Sequence, residues 1–136
     1  MFKLGIIGTG SISHEFIKAA HSTGDYQLAA VYSRTLASAE RFVQNYENTA
    51  VYIEMLDFLS SDIDVVYIAS PNSLHFNHAK IAILARKHVI VEKPAVSRPK
   101  EWRELIKLAD EHQVYLFEAA RNYHEQAFDT ISDFLK

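Results

Sequence analysis

Apolar positions along the chain recur with two periods, one of two residues and one near three and a half, and the two take turns from end to end. Short β-branched or aromatic runs read as strands over 2–7 (Phe2-Lys3-Leu4-Gly5-Ile6-Ile7), 26–32, 50–53, 65–69, 89–92 and 114–118. Helical spacing fills the gaps. Phe16, Ile17 and Ala20 share one face of a first helix, which should stop near Gly24, a residue suited to the position just past a helix end. Ala39, Phe42, Val43 and Tyr46 recur at three- and four-residue steps over 36–46, and 54–59 has room for one short helical turn. Phe76, Ala79 and Ile83 mark another stripe, and Trp102, Leu105, Ile106 and Ala109 mark one more behind Pro99. The last segment, 124–136, carries Ala127, Ile131, Phe134 and Leu135 on one face.

Alternation of this kind favours parallel pairing with right-handed crossovers, because a strand can return beside its predecessor in the same direction only through a crossing element. The expectation is an α/β single domain with a doubly wound, mostly parallel sheet, a Rossmann fold, in the order 3-2-1-4-5-6. Ligands of such sheets bind beyond the carboxyl ends of the strands, where the strand order reverses. Residues that directly follow strands are therefore the candidates for chemistry.

The totals restrict what those candidates can serve. A chain of 136 residues with 49% hydrophobic and 23% charged positions supports one core and no second full domain. A net charge of -3 with no basic stripe argues against nucleic acid as a partner. With no cysteine there are no disulfides or thiolate metal sites. No apolar run is long enough for a membrane span, and the start reaches glycine too soon for a signal-peptide core, so the default location is cytoplasmic.

The first strand breaks at Gly8-Thr9-Gly10-Ser11-Ile12-Ser13 and resumes as helix. Gly8 can make the sharp turn, Gly10 lets backbone approach a pyrophosphate, and the helix start offers unbonded amides. A glycine pair also occurs in plain turns. The third position of the fingerprint is Ser13, small enough for a helix packed closely on a strand. After the second strand, where a carboxylate would grip the ribose of NAD, stands Ser33-Arg34, followed by Thr35. A guanidinium beside small hydroxyls suits a 2′-phosphate, so NADP is preferred and NAD remains possible; the plainer role for Arg34 is to solvate a helix start.

Ser70-Pro71-Asn72-Ser73-Leu74-His75 follows the fourth strand as a stiff loop whose Asn72 can both donate and accept. His75 falls near the expected site. His75 and His78 have helical metal-ligand spacing, but no third ligand is evident and no metal is expected. Glu92-Lys93-Pro94 ends the fifth strand. There Lys93 can donate to a substrate oxygen, Glu92 can orient it, and the proline suggests a rigid turn, open to a cis peptide. A solvated strand terminus accounts for the same three residues.

Taken in order, Gly8-Thr9-Gly10 with Ile12, Ser33-Arg34, Pro71-Asn72 with His75, Lys87-His88-Val89 leading to Glu92-Lys93-Pro94, and Glu118-Ala119 with Arg121 resemble the Gfo/Idh/MocA oxidoreductase family. The resemblance covers nearly the whole chain but only the family's amino-terminal half. It implies an NAD(P)-binding Rossmann domain over 1–122, with Gly8, Thr9, Gly10, Ser11, Ile12, Ser33, Arg34, Ser70, Pro71, Asn72, His75, Glu92 and Lys93 at the cofactor and Lys93 beside the substrate. Residues 123–136 are expected to form a helix leading toward a carboxy-terminal substrate domain, and the family's Asp-x-x-x-His catalytic motif belongs to that domain. The chain then reads as an excised cofactor domain. It should bind cofactor weakly and turn over little alone, its parent transferring hydride between nicotinamide and a sugar, polyol or related small molecule, and assembling as a homo-oligomer through the other domain. A non-catalytic dinucleotide-binding sensor is the alternative, and an S-adenosylmethionine-binding domain leaves Glu92-Lys93-Pro94 unexplained. Two positions depart from the family pattern: Arg86 replaces a common glycine before Lys87-His88-Val89, and Ser13 replaces the commonest fingerprint residue.

Overall fold

Six period-two runs pair side by side in parallel, in the order β3-β2-β1-β4-β5-β6, in the computed structural model, which describes residues 1–119 and 130–134. The strands are β1 (Phe2–Ile7), β2 (Tyr26–Tyr32), β3 (Ala50–Tyr52), β4 (Val65–Ile68), β5 (His88–Glu92) and β6 (Leu116–Ala119). Between them run α1 (Ser11–Ser22), α2 (Leu36–Phe42), α3 (Met55–Leu59), α4 (His75–Leu84) and α5 (Pro99–Glu111). The topology is the expected doubly wound one. β1 lies at its centre, with Ile6 opposite Val31 of β2 on one side and Tyr67 of β4 on the other.

Side-chain alternation sends each strand's residues to two separate cores. Leu4 and Ile6 of β1, Val65 and Tyr67 of β4 and Ile90 of β5 meet Phe16, Ile17 and Ala20 of α1 on one face. Ile7, Val66, Ile68, Val89 and Val91 meet Phe58, Ala79, Ile83 and Leu105 on the other. Burial on both faces is why the central strands are continuous apolar runs. Residues 130–134 are helical, and Ile131 enters the first core while Ser132 Oγ donates to the Tyr26 hydroxyl at 3.1 Å. Phe134, expected on the same face, is 65% exposed and rests against Tyr115. Arg121, Ala127, Leu135 and the remainder of the expected last helix lie outside the described residues. Among the described residues no helix is long and apolar enough to cross a membrane.

Local differences from the sequence pattern have local causes. The second helix ends at Phe42 and continues as a 3-10 turn over Val43–Asn45, so Val43 and Tyr46 only flank the core. On α5, Ile106 is 48% exposed, and partly buried Leu108 joins Leu105 and Ala109 instead, since Ile106 is turned about 100° from Leu105 round the helix. Both α4 and α5 close with a non-glycine residue in left-handed backbone, Arg86 at φ 60° and Gln113 at φ 57°. At the first, the Arg86 and Lys87 amides donate back to Ile83 and Ala82 carbonyls at 2.9 and 3.1 Å, the paired bonds of a Schellman end. Arg86 thus adopts the strained conformation that a glycine would take freely.

Candidate functional site

The carboxyl ends of β1, β2 and β4 open onto one cleft of about 450 Å³. Its floor is the glycine turn. Gly8 has φ +113°, and a Cβ there would lie 2.6 Å from the Ala69 carbonyl carbon and oxygen, so both the backbone conformation and the close approach of the β4 loop require glycine. Ser13 is fully buried and its Oγ donates to the Gly8 carbonyl at 2.8 Å, so the serine of the fingerprint braces the turn from the first turn of α1.

A dinucleotide fits this floor. A Cβ on Gly10 would meet nothing within 4 Å, which leaves open space over the backbone. Gly10 is also the N-cap of α1, with no side-chain cap bond and no acidic residue in the first turn. Gly10 puts no side chain over the starting amides of α1, and the positive end of the helix dipole points where a pyrophosphate would lie.

Beyond the glycine turn the cleft is lined by Ser33, Arg34, Thr35 and Ser38 from the β2–α2 connection. Thr35 is the N-cap of α2: its Oγ1 accepts from the Ser38 amide at 3.3 Å and donates to Ser38 Oγ at 2.9 Å. That hydroxyl is committed to the helix start. Arg34 is exposed, pairs with no carboxylate among the described residues, and no acidic side chain lines the cleft.

The opposite wall comes from the β4–α4 loop. Ser70, Pro71, Leu74 and His78 line it, and Ser70 Oγ lies 2.8 Å from His78 Nδ1. Burial lowers the proton affinity of His78 below the ordinary histidine value, and the charge of His75 lowers it further. Asn72 is exposed at the outer edge of the loop, in a short 3-10 turn. His75 does not line the cleft: it turns inward, 1% exposed, between two backbone carbonyls. The two histidines that share helical spacing thus meet different atoms of Ser70, His78 its hydroxyl and His75 its carbonyl, and only His78 lines the cleft.

Glu92 and Lys93 stand at the end of β5, one strand beyond β4, and they too lie outside the cleft lining. Glu92 Oε1 accepts from the Tyr67 hydroxyl at 2.5 Å, and its Oε2 accepts from the Lys93 amide at 3.3 Å. The carboxylate holds the backbone of Lys93, and the Lys93 side chain is exposed. The Lys93–Pro94 peptide is cis. Burial, then the hydrogen bond and charge of Glu92, with Glu15 adding, push the Tyr67 hydroxyl far above the ordinary tyrosine value, so it remains a donor. Glu118, from the motif at the sixth strand, accepts from the Ala95 amide at 2.8 Å and so steadies the same turn.

An oxidoreductase family with an NAD-binding Rossmann fold, Gfo/Idh/MocA, matches residues 2–120. The chain belongs to the Gfo/Idh/MocA family. Among Gfo/Idh/MocA relatives, the uncharacterised oxidoreductase YgjR of Escherichia coli (strain K12) is 41% identical over 130 residues, covering 91% of this chain and 40% of the relative. The scyllo-inositol 2-dehydrogenase (NADP(+)) IolU of Bacillus subtilis (strain 168) is 38% identical over 122 residues, covering 89% and 37%. The WlbA dehydrogenase from Chromobacterium violaceum, solved in complex with NADH and UDP-GlcNAcA, has the same fold with a TM-score of 0.82 at 25% identity, over 90% of this chain and 36% of that one. The chain spans about two fifths of the length of these relatives.

Of the residues that the motifs nominated, Gly8, Thr9, Gly10, Ser33, Arg34, Ser70 and Pro71 line the cleft of this Gfo/Idh/MocA domain, whereas Ser11, Ile12, Asn72, His75, Glu92 and Lys93 do not. Tyr32, Ser38, Leu74 and His78 line it without having been assigned to a cofactor. A signal existed for three of them: Tyr32 ends its strand directly before Ser33, and Leu74 and His78 stand four apart at the helix start behind the loop. Tyr67 had none, because its hydroxyl reaches Glu92 only through strand pairing.

Proposed function

We propose that this chain is the cofactor-binding part of an NADP-preferring oxidoreductase that moves hydride between nicotinamide and an alcohol or carbonyl of a sugar, polyol or related small molecule. The observation that carries the reading is the company Arg34 keeps: it lines the same cleft as Gly8 and Gly10, beside Ser33 and Ser38, with no carboxylate among the described residues that line it. A guanidinium and hydroxyls suit the dianionic 2′-phosphate of NADP through charge-assisted bonds, whereas a carboxylate there would favour the bare ribose of NAD. A relative named for both scyllo-inositol and NADP(+), and a neighbour solved with NADH and UDP-GlcNAcA, support the cofactor class and the substrate class.

The roles follow from the residues. Backbone at Gly8, Thr9 and Gly10, with the Ser11 and Ile12 amides, would hold the pyrophosphate. Ser33, Arg34 and Ser38 would hold the adenosine phosphate, and the loop of Ser70, Pro71 and Asn72 would hold the nicotinamide half. The bound dinucleotide supplies the hydride. Lys93 would donate to the substrate oxygen and stabilise negative charge that develops there, while Glu92 fixes its backbone. Residues outside this chain complete the substrate pocket and the proton path. The reading is tested by fluorescence titration of the chain with NADPH and NADH: tighter binding of NADPH is expected, and binding of neither at millimolar concentration overturns it.

A further inference from the structure

His75 is 1% exposed, and both of its ring nitrogens face oxygen. Nδ1 lies 2.8 Å from the Pro94 carbonyl oxygen, and Nε2 lies 2.7 Å from that of Ser70. A carbonyl oxygen only accepts, so each contact is a hydrogen bond only when that ring nitrogen carries a proton. A neutral imidazole has one N–H. In this position it would set a ring-nitrogen lone pair, buried with the rest of the side chain, against a carbonyl lone pair at 2.7 or 2.8 Å, leaving that nitrogen unsatisfied. A ring protonated on both nitrogens satisfies both carbonyls.

The two carbonyls belong to separate segments. Ser70 follows β4 and lines the cleft; Pro94 follows Lys93. Lys93 is therefore pinned on both sides, its own amide by Glu92 Oε2 and the next residue's carbonyl by His75. Other ionisable groups surround this tie. Glu118 holds the Ala95 amide just beyond Pro94, His78 meets Ser70 Oγ from the next turn of α4, and Lys93 itself extends outward. The charge on His75 is among the causes that depress the proton affinity of His78.

We propose that His75 donates from both ring nitrogens and acts as a positioning residue, tying the cofactor loop at Ser70 to the turn that carries Lys93. This rests on the proposed dinucleotide site. The tie sets how far the lysine stands from the nicotinamide half, without itself touching cofactor. It assigns the buried first histidine of the pair a role in geometry and leaves the second, His78, to the cleft.

The test uses ring-nitrogen NMR of the wild-type chain at neutral pH, then titrations with NADPH and with 2′-phospho-ADP-ribose, which lacks nicotinamide, in wild type, His75→Gln and His75→Leu. Both ring nitrogens should carry protons in wild type. The variants should bind 2′-phospho-ADP-ribose within about twofold of wild type yet lose about tenfold or more of the extra affinity for NADPH. The methyl-labelled Lys93 NMR signal, assigned through Lys93→Arg, should move with NADPH in wild type and not in the variants. A ring with one unprotonated nitrogen overturns the proposal, and so does equal loss of both ligands or an unchanged response of Lys93. If the variants do not fold, the ring spectrum of wild type decides. A wild type that binds neither ligand overturns the proposed function, and the double donation is still decided by the ring spectrum.

Discussion

The Tyr67 hydroxyl donates to Glu92 Oε1 at 2.5 Å, joining neighbouring strands β4 and β5 at the end that carries Lys93. Tyr67 is fully buried and its ring stacks on Phe16, with centroids 3.7 Å apart and planes 8° from parallel. Tyr67→Phe keeps that stack and removes only the donor. A loss of about 1–2 kcal/mol is expected in urea denaturation near neutral pH, because a partly buried carboxylate loses a charge-assisted bond. Alkaline pH separates the two proteins further. The folded value of Tyr67 is raised above its ordinary 10.0, so the stabilisation is fully present below pH 10 and declines above it, as the unfolded tyrosine ionises and the folded one does not. The wild-type advantage over Tyr67→Phe should therefore shrink as pH rises past 10.

On the acid side the decisive group is His78. Burial, with the charge of His75, depresses its folded value below 6.5, so its contribution is present above pH 6.5 and is lost as pH falls below it, when the unfolded chain takes up the proton first. His78→Gln should flatten the acid limb of a stability-against-pH curve measured by chemical denaturation. His88, depressed by burial against the opposing charge of Asp64, keeps a residual slope in the variant.

Arg86→Gly should stabilise the chain by about 0.5–1 kcal/mol. Relief of a left-handed non-glycine residue gives about 1–2 kcal/mol, offset in part by the greater freedom of glycine in the unfolded chain. The Arg86 guanidinium bond to the His112 carbonyl, at 3.3 Å and exposed, is a minor loss. Thermal melts of the two proteins check the sign.

Gly8→Ala meets two penalties at once, a positive φ and a Cβ pressed on Ala69 backbone that has no flexible end to give way. About 2–4 kcal/mol of stability should go, together with NADPH binding, since the turn must move to accommodate the methyl group. Gly10→Ala provides the contrast. Its Cβ meets no protein atom, so stability should change by less than about 1 kcal/mol while dinucleotide affinity falls, a split read from parallel melts and titrations.

For the adenosine end, Arg34→Asp exchanges a cleft-lining guanidinium between Ser33 and Thr35 for an anion. NADPH affinity should drop by about tenfold or more, with NADH affinity maintained or improved, as fluorescence titration will show. Arg34→Lys should retain part of the preference, because charge survives while the two-pronged donor does not.

Much of this site was legible along the chain because its parts are local. A glycine turn, the dipeptide after a strand and a proline-braced loop each owe their character to adjacent residues, so Gly8, Gly10, Ser33, Arg34, Ser70 and Pro71 could be nominated from position alone. Arg86 stood out only as a departure from the family pattern, and it took the structure to show that the left-handed turn is kept there. Glu92 was harder. Its placement beside Lys93 suggested a side-chain partner, whereas the structure gives it the Lys93 amide and the Tyr67 hydroxyl.

What the sequence by itself determined was the fold class and strand order, because alternating periods admit few topologies, and the short motifs at the strand ends, because turn chemistry is local. What only the tertiary structure decided was which way each polar side chain turns. His75 and His78 are three residues apart on one helix, yet one is enclosed between the Ser70 and Pro94 carbonyls and the other faces the cleft. That division depends on the parallel register that brings the loops after β4 and β5 together, and on the buried His75 ring nitrogens, which must find partners there.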